Sequence, residues 1–252
     1  MEEKLQESIE VLYKTFARYA RPAKIEFCPC GCTKPEDVAR LTSVPLRELP
    51  FSDLTDYVFS AMTTQGGVDD FRYLLPRLFH GFIEYDYCVN SETIFGKLSY
   101  AKWWKWPQDE IQSFRSFLMA VWEVGVSSFP IEKALPNCYE IETLLASISR
   151  TGEPLIPYLE SWTHHRSWEA DQHLLQFVTM HGAGFSNGRT LCEAFWEKAQ
   201  PQARELRTWL LYPATLQRVR DQAGRLPQDG FEHLFPAALQ VLQAESTIIC
   251  RG

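Results

Sequence analysis

Residues 107–124 read "PQDEIQSFRSFLMAVWEV", and this stretch decides the fold class. Ile111, Phe114, Phe117, Leu118, Val121 and Trp122 recur at helical spacing and form one wide apolar face. Pro107 suits a first turn, where a missing N–H costs little. Asp109 and Glu110 suit the positive end of the helix dipole. A half-buried strand would alternate apolar and polar residues, and this stretch does not.

The same period recurs on both sides. Residues 4–20 place Leu5, Ile9, Leu12, Phe16 and Tyr19 on one stripe, and Pro22 breaks it. Residues 52–62 open with Ser52 as a candidate N-cap and Asp53 in the first turn. They carry Leu54, Tyr57, Val58, Ala61 and Met62 at helical spacing. After the loop "TTQGGVDD", Asp69 or Asp70 can cap a helix bearing Phe71, Leu74, Leu75, Leu78, Phe82 and Tyr85. Pro76 lies inside it, so the expectation is a kinked helix or a broken pair. Further stripes fall near 139–149, 153–162, 166–180, 190–199, 202–211 and 229–244. "AKIEF" at 23–27 and "STIIC" at 246–250 look extended but cannot make a large sheet alone.

The expected fold is therefore all-α, an irregular multi-helix array, with a HEAT-like helical solenoid as its specific variant. Residues 1–252 read as a single helical domain. If two closely packed halves exist, the seam falls at 125–137, "GVSSFPIEKALPN", which holds Gly, Ser and two prolines. Phe71 to Pro76 echoes Phe231 to Pro236, but one echo shows no period, and coincident helix initiation is the preferred reading.

The length of 252 residues is ample for a hydrophobic core. Aromatics make up 13% of the chain, with 8 Trp, so a well-packed body is expected. The net charge of −7, with both halves negative, argues against nucleic acid, which needs a positive footprint. No apolar run is long enough to span a membrane. The polar, acidic start "MEEKLQESIEVLYKTF" is not a secretory signal. Seven cysteines are an odd count and a poor disulfide framework, so a reducing cytoplasm is the expected location.

Two clusters invite a functional reading. "FCPCGCT" at 27–33 sets Cys28, Cys30 and Cys32 at every second position in a turn-forming context. Thiolates bind zinc, and a structural site wants four ligands. Cys88, Cys138, His80 or another His would supply the fourth. The plainer reading is packing of small buried residues; reversible thiol chemistry lacks the usual C-x-x-C spacing. "SYAKWWKWPQDE" at 99–110 offers Trp103, Trp104 and Trp106, with Lys102 and Lys105 between them. Packing of a helix end is the plain reading, a protein interface the next, and base stacking the last. His164 and His165 are adjacent and point about 100° apart on a helix, so the pair is a poor chelate. His181 suits the dipole of a helix end, and Ser186 lacks a nucleophile elbow. No paired carboxylates stand out.

Several of these residues carry a resemblance. Leu12-Tyr13, Phe16, Tyr19, Pro22, Ile25 and Cys28, then "PLREL" at 45–49, Leu54 and Tyr57, "GGVDDFRYLLPRLF" at 66–79 and "GKLSYAKWWKWPQDE" at 96–110 resemble a family of uncharacterised bacterial helical proteins. In that family a cysteine-containing turn follows the first helix, and a D-F-x-x-[FL]-L-P-R helix follows a Thr/Gly loop. The resemblance covers the first half of the chain and supplies no catalytic residues. It implies a bacterial intracellular protein. By analogy of type, acidic helical proteins of this kind bind other proteins, toxin-neutralising immunity proteins among them. The expected function is thus non-catalytic protein binding, with a toxin as one class of partner. The alternative is a zinc-binding structural or regulatory protein, or a metal-dependent enzyme, using Cys28, Cys30 and Cys32. Neither a membrane nor a nucleic acid is an expected partner.

Overall fold

The apolar face of 107–124 does form a helix: α6 runs from Gln108 to Val126, with Asp109 and Glu110 in its first turn. Phe114, Phe117, Leu118, Val121 and Trp122 on that face are fully buried. The computed structural model describes residues 2–29, 31, 33–188, 191, 196–227 and 230–249. Among them lie twelve α-helices and no strand, only isolated bridges joining Phe27 and Ala61 to Gln65. The protein is an all-α, multi-helix array. Helix lengths from 6 to 19 residues follow no repeat, so the array is irregular. The chain divides into two compact units, Met1–Val124 with Ala134–Cys138, and Gly125–Lys133 with Tyr139–Gly252.

The first unit holds α1 (Glu2–Phe16), α2 (Pro35–Arg40), α3 (Thr55–Ser60), α4 (Val68–Glu84), α5 (Ser91–Tyr100) and most of α6. Its core is a cluster of rings. Phe79 meets Phe95, Phe114 and Phe117 edge to face, with centroids 5.3, 4.8 and 5.6 Å away. Such pairs contribute about 0.5–1.5 kcal/mol each beyond the burial itself.

α4 runs unbroken through Pro76, so the expected broken pair is not found. Proline removes one backbone donor there, but Leu74, Leu75, Leu78 and Phe79 on either side are fully buried. Packing of both halves outweighs one lost hydrogen bond. Asp70 acts from inside the first turn, accepting 2.8 Å from the Gly67 N–H. At the other end, Asn137 satisfies the helix terminus. Its Nδ2 donates to the Phe82 and Tyr85 carbonyls at 2.7 and 2.8 Å, and its Oδ1 accepts from Tyr87 N–H at 3.0 Å. This one side chain stitches 134–138 into the first unit. Gly81 is required close by: a Cβ there would lie 2.0 Å from the Tyr87 hydroxyl, which donates to the Leu78 carbonyl.

The second unit holds α7 (Ile141–Arg150), α8 (Ile156–His164), α9 (Trp168–His181), α10 (Gln200–Leu210), α11 (Pro213–Gln222) and α12 (Phe235–Ile249). Trp162 is buried and stacks on Trp209 at 5.0 Å. Arg218, buried on α11, donates to the Trp162 and His165 carbonyls, each at 2.8 Å, and to Asp171 at 2.7 Å. It thereby closes the C-terminal end of α8 and ties α8, α9 and α11 together. His173, fully buried on α9, donates its Nε2–H to the carbonyls of Ser128 and Gly125 at 2.8 and 3.1 Å. Burial pulls its pKa down to about 4 despite those bonds.

Three helices escaped the stripe reading. α5 is buried all round, including Ile94, Phe95, Gly96 and Lys97, so it has no polar face to set a period. α11 buries Leu216 and Val219 but also Thr215 and Arg218. α2 is six residues long, with Val38 its one buried residue. "STIIC" was expected to extend, yet 246–249 belong to α12. The echo also dissolves: Phe71 is fully buried, while Phe231 is exposed.

Two outcomes test this packing. Asn137→Ala would orphan the buried Phe82 carbonyl, the half-buried Tyr85 carbonyl and one N–H, and should lower stability by about 2–4 kcal/mol in urea unfolding. His173 is held neutral in the fold, so its contribution is complete above about pH 6.5. That contribution declines as pH falls towards the folded pKa of about 4, by up to roughly 3 kcal/mol. Unfolding curves from pH 8 to pH 4 should show this loss in the wild type and much less of it in His173→Gln.

Candidate functional site

An open apolar groove lies within the second unit, where the outer faces of α8 and α10 meet. Both helices start at proline, with Pro157 and Pro201 in their first turns. Each turns one stripe inward, Tyr158, Leu159 and Trp162 from α8, Ala203, Leu206 and Leu210 from α10. Ile156, Trp209 and Tyr212 are left lining a groove of about 540 Å3, with Glu160, Arg204 and Glu205 also along it. Ile156 is 50% exposed and Tyr212 63%. The walls are held in place. Trp209 stacks on Trp162, and its Nε1 donates to Thr163 Oγ1 at 2.7 Å. Glu205 accepts from Leu155 N–H at 2.5 Å, satisfying a donor at the start of α8.

A second cluster in the same unit joins a helix start to a helix end. Glu140 and Glu142 flank the first residue of α7, and His181 closes α9. One ligand atom from each lies within 4.8 Å of the other two. Glu142 and His181 are buried, and Glu140 is half-buried. The His181 ring nitrogen Nε2 sits 3.4 Å from Glu140 Oε2, and Trp196 Nε1 donates to Glu142 Oε1. Sequence reading missed this cluster, because 40 residues separate its parts and each end is explained by its helix dipole.

The three tryptophans separate. Trp103 and Trp106 are buried, Trp103 against Phe114 and Trp106 against Phe16 and Phe71. Trp106 Nε1 donates to the Ala101 carbonyl at 3.1 Å. Trp104 is 53% exposed and is the one ring of the three that a partner can reach. The alternation arises because 103–105 form a single 3-10 turn, which points successive side chains about 120° apart.

Cys28 is half-buried, and its N–H donates to the Thr64 carbonyl at 2.8 Å. Cys30 and Cys32 lie outside the described residues. Of the residues considered as a fourth ligand, Cys138 is fully buried, and that burial pushes its thiol up to about 12. His80 is engaged by Tyr13 and Glu84 at 3.2 and 3.1 Å. Cys88 is exposed.

His164 bonds back to the Glu160 carbonyl within its own helix. His165 Nε2 lies 3.2 Å from Ser127 Oγ, but among the described residues no carboxylate orients that ring, which a nucleophilic triad requires. No helix among the described residues is long and apolar enough to cross a membrane. Compared with protein-family models, curated proteins and solved structures, the chain matches none.

The split among the tryptophans is testable by unfolding. Trp106→Ala should cost about 3–5 kcal/mol. Trp104→Ala should change stability by less than about 0.5 kcal/mol.

Proposed function

We propose that this chain is a non-catalytic protein-binding module, and that the groove between α8 and α10 receives an apolar segment of a partner protein. The observation that carries this reading is the set of apolar side chains lining that groove, Ile156 and Tyr212 exposed and Trp209 half-buried and held by its stacking and hydrogen bond. Tryptophan and tyrosine are enriched among the residues that dominate binding energy. A groove between two helices suits an amphipathic segment that inserts a few anchors. Glu160, Arg204 and Glu205 along it supply charges of both signs that fix orientation more than affinity. Held walls reduce the ordering cost of association.

The narrower reading, a bacterial cytoplasmic immunity protein whose partner is a toxin, rests on the resemblance carried by the first half of the chain and on its acidic balance. It adds one demand: the captured partner must be harmful to the cell when expressed alone, and harmless when this chain is co-expressed.

Affinity capture with the wild type and with Ile156→Glu/Tyr212→Glu, compared by quantitative proteomics, tests the groove. We expect a protein retained by the wild type, forming a stoichiometric complex in light scattering, and lost at least about tenfold with the variant. The circular dichroism of the variant should be unchanged. Equal retention by a folded variant would overturn the assignment of the groove.

A further inference from the structure

We propose that Glu140, Glu142 and His181 bind a divalent first-row transition metal, with zinc as the first choice. The site is separate from the α8–α10 groove and does not depend on the groove's role.

The donor set is right for such an ion. Zinc takes histidine nitrogen and carboxylate oxygen at about 2.0–2.2 Å, and three protein ligands with a water is a common arrangement. One imidazole with two carboxylates also suits manganese and ferrous iron. The spacing is compatible with it. His181 Nε2 and Glu140 Oε2 form a long hydrogen bond of 3.4 Å, and two ligands on one tetrahedral zinc, with bonds of about 2.1 Å, stand roughly 3.4 Å apart, so an ion would replace that bond with little movement of either side chain. The 4.8 Å limit on the whole set leaves the remaining donor a short side-chain adjustment away.

The surroundings fit as well. Metal-bound carboxylates are usually oriented by a hydrogen bond from a neighbouring group, and Trp196 Nε1 supplies one to Glu142 Oε1. His181 packs against Phe177 at 5.2 Å, which limits its ring rotation. The Glu140 side chain is 27% exposed, so an ion has a way in from solvent. The two carboxylates with a neutral imidazole sum to −2, which one divalent cation balances.

The full chain, stripped with a chelator and dialysed against micromolar Zn2+, should retain zinc by elemental analysis. His181→Gln and Glu142→Gln should each bind one equivalent at least about tenfold more weakly. Any zinc held by Cys28, Cys30 and Cys32 would survive these changes and is thereby told apart. Because buried substitutions can disturb the fold, Glu140→Gln is measured alongside, with its metal-free unfolding midpoint. A native midpoint with the same loss of one equivalent supports the site. A native midpoint with zinc bound as in the wild type, or no zinc bound by the wild type at all, overturns it.

Discussion

Helices this short do not stand alone. An isolated helix below about 12–15 residues is marginal in water, and α2, α3, α5, α7, α8, α10 and α11 have between 6 and 11 residues. Their stability must come from tertiary burial, and large rings supply much of it. In the first unit Phe79, Phe95, Phe114 and Phe117 join α4, α5 and α6. In the second, Trp162 and Trp209 join α8 to α10. The abundance of aromatics in the composition is thus the counterpart of the shortness of the helices.

Short helices also have proportionately many ends, and each end leaves backbone groups unsatisfied. Much of the long-range polar contact in this chain addresses that problem. Asn137 serves the end of α4 from 52 to 55 positions away in sequence. Arg218 serves the end of α8. Lys97, buried on α5, donates to the Phe59 and Ala61 carbonyls at the end of α3, at 2.5 and 3.2 Å. Burial lowers the Lys97 and Arg218 pKa values, and the carbonyls provide the polar contact that a buried cation needs. A side chain that closes a distant helix end also fixes how the elements pack. These three are therefore determinants of arrangement, although none reads as apolar core.

The sequence made the amphipathic helices legible and left the rest obscure for identifiable reasons. α6 announces itself because one face is apolar and the other polar. α5 does not, because a helix buried on every side has no contrast to read. Pro76 pointed to a kink or a break, and local propensity cannot weigh the packing of Leu75 and Phe79 that carries the helix through it. The same blindness governs the sites. Trp103, Trp104 and Trp106 look alike in sequence, yet a 3-10 turn buries two and exposes one. Ile156 and Tyr212 each stand immediately before a proline, and nothing in that pattern says that they meet across a groove. Glu140, Glu142 and His181 come together only when α7 and α9 are placed.

The groove and the carboxylate–imidazole cluster differ in what they ask of a ligand. The groove is already assembled: Trp209 is stacked and hydrogen-bonded, and Glu205 holds the start of α8. A partner would meet little ordering cost there, and the gain would come from removing exposed apolar surface from water. The cluster is governed by charge. Carboxylates placed at the start of α7 gain from that helix dipole, and an imidazole at the end of α9 gains from the opposite one. Each placement is locally favourable without any ligand. Local favour does not, however, require the three donor atoms to converge within 4.8 Å. Helix dipoles account for the residue types at these two helix ends, and the convergence of their donor atoms is the feature that the proposed cation would use.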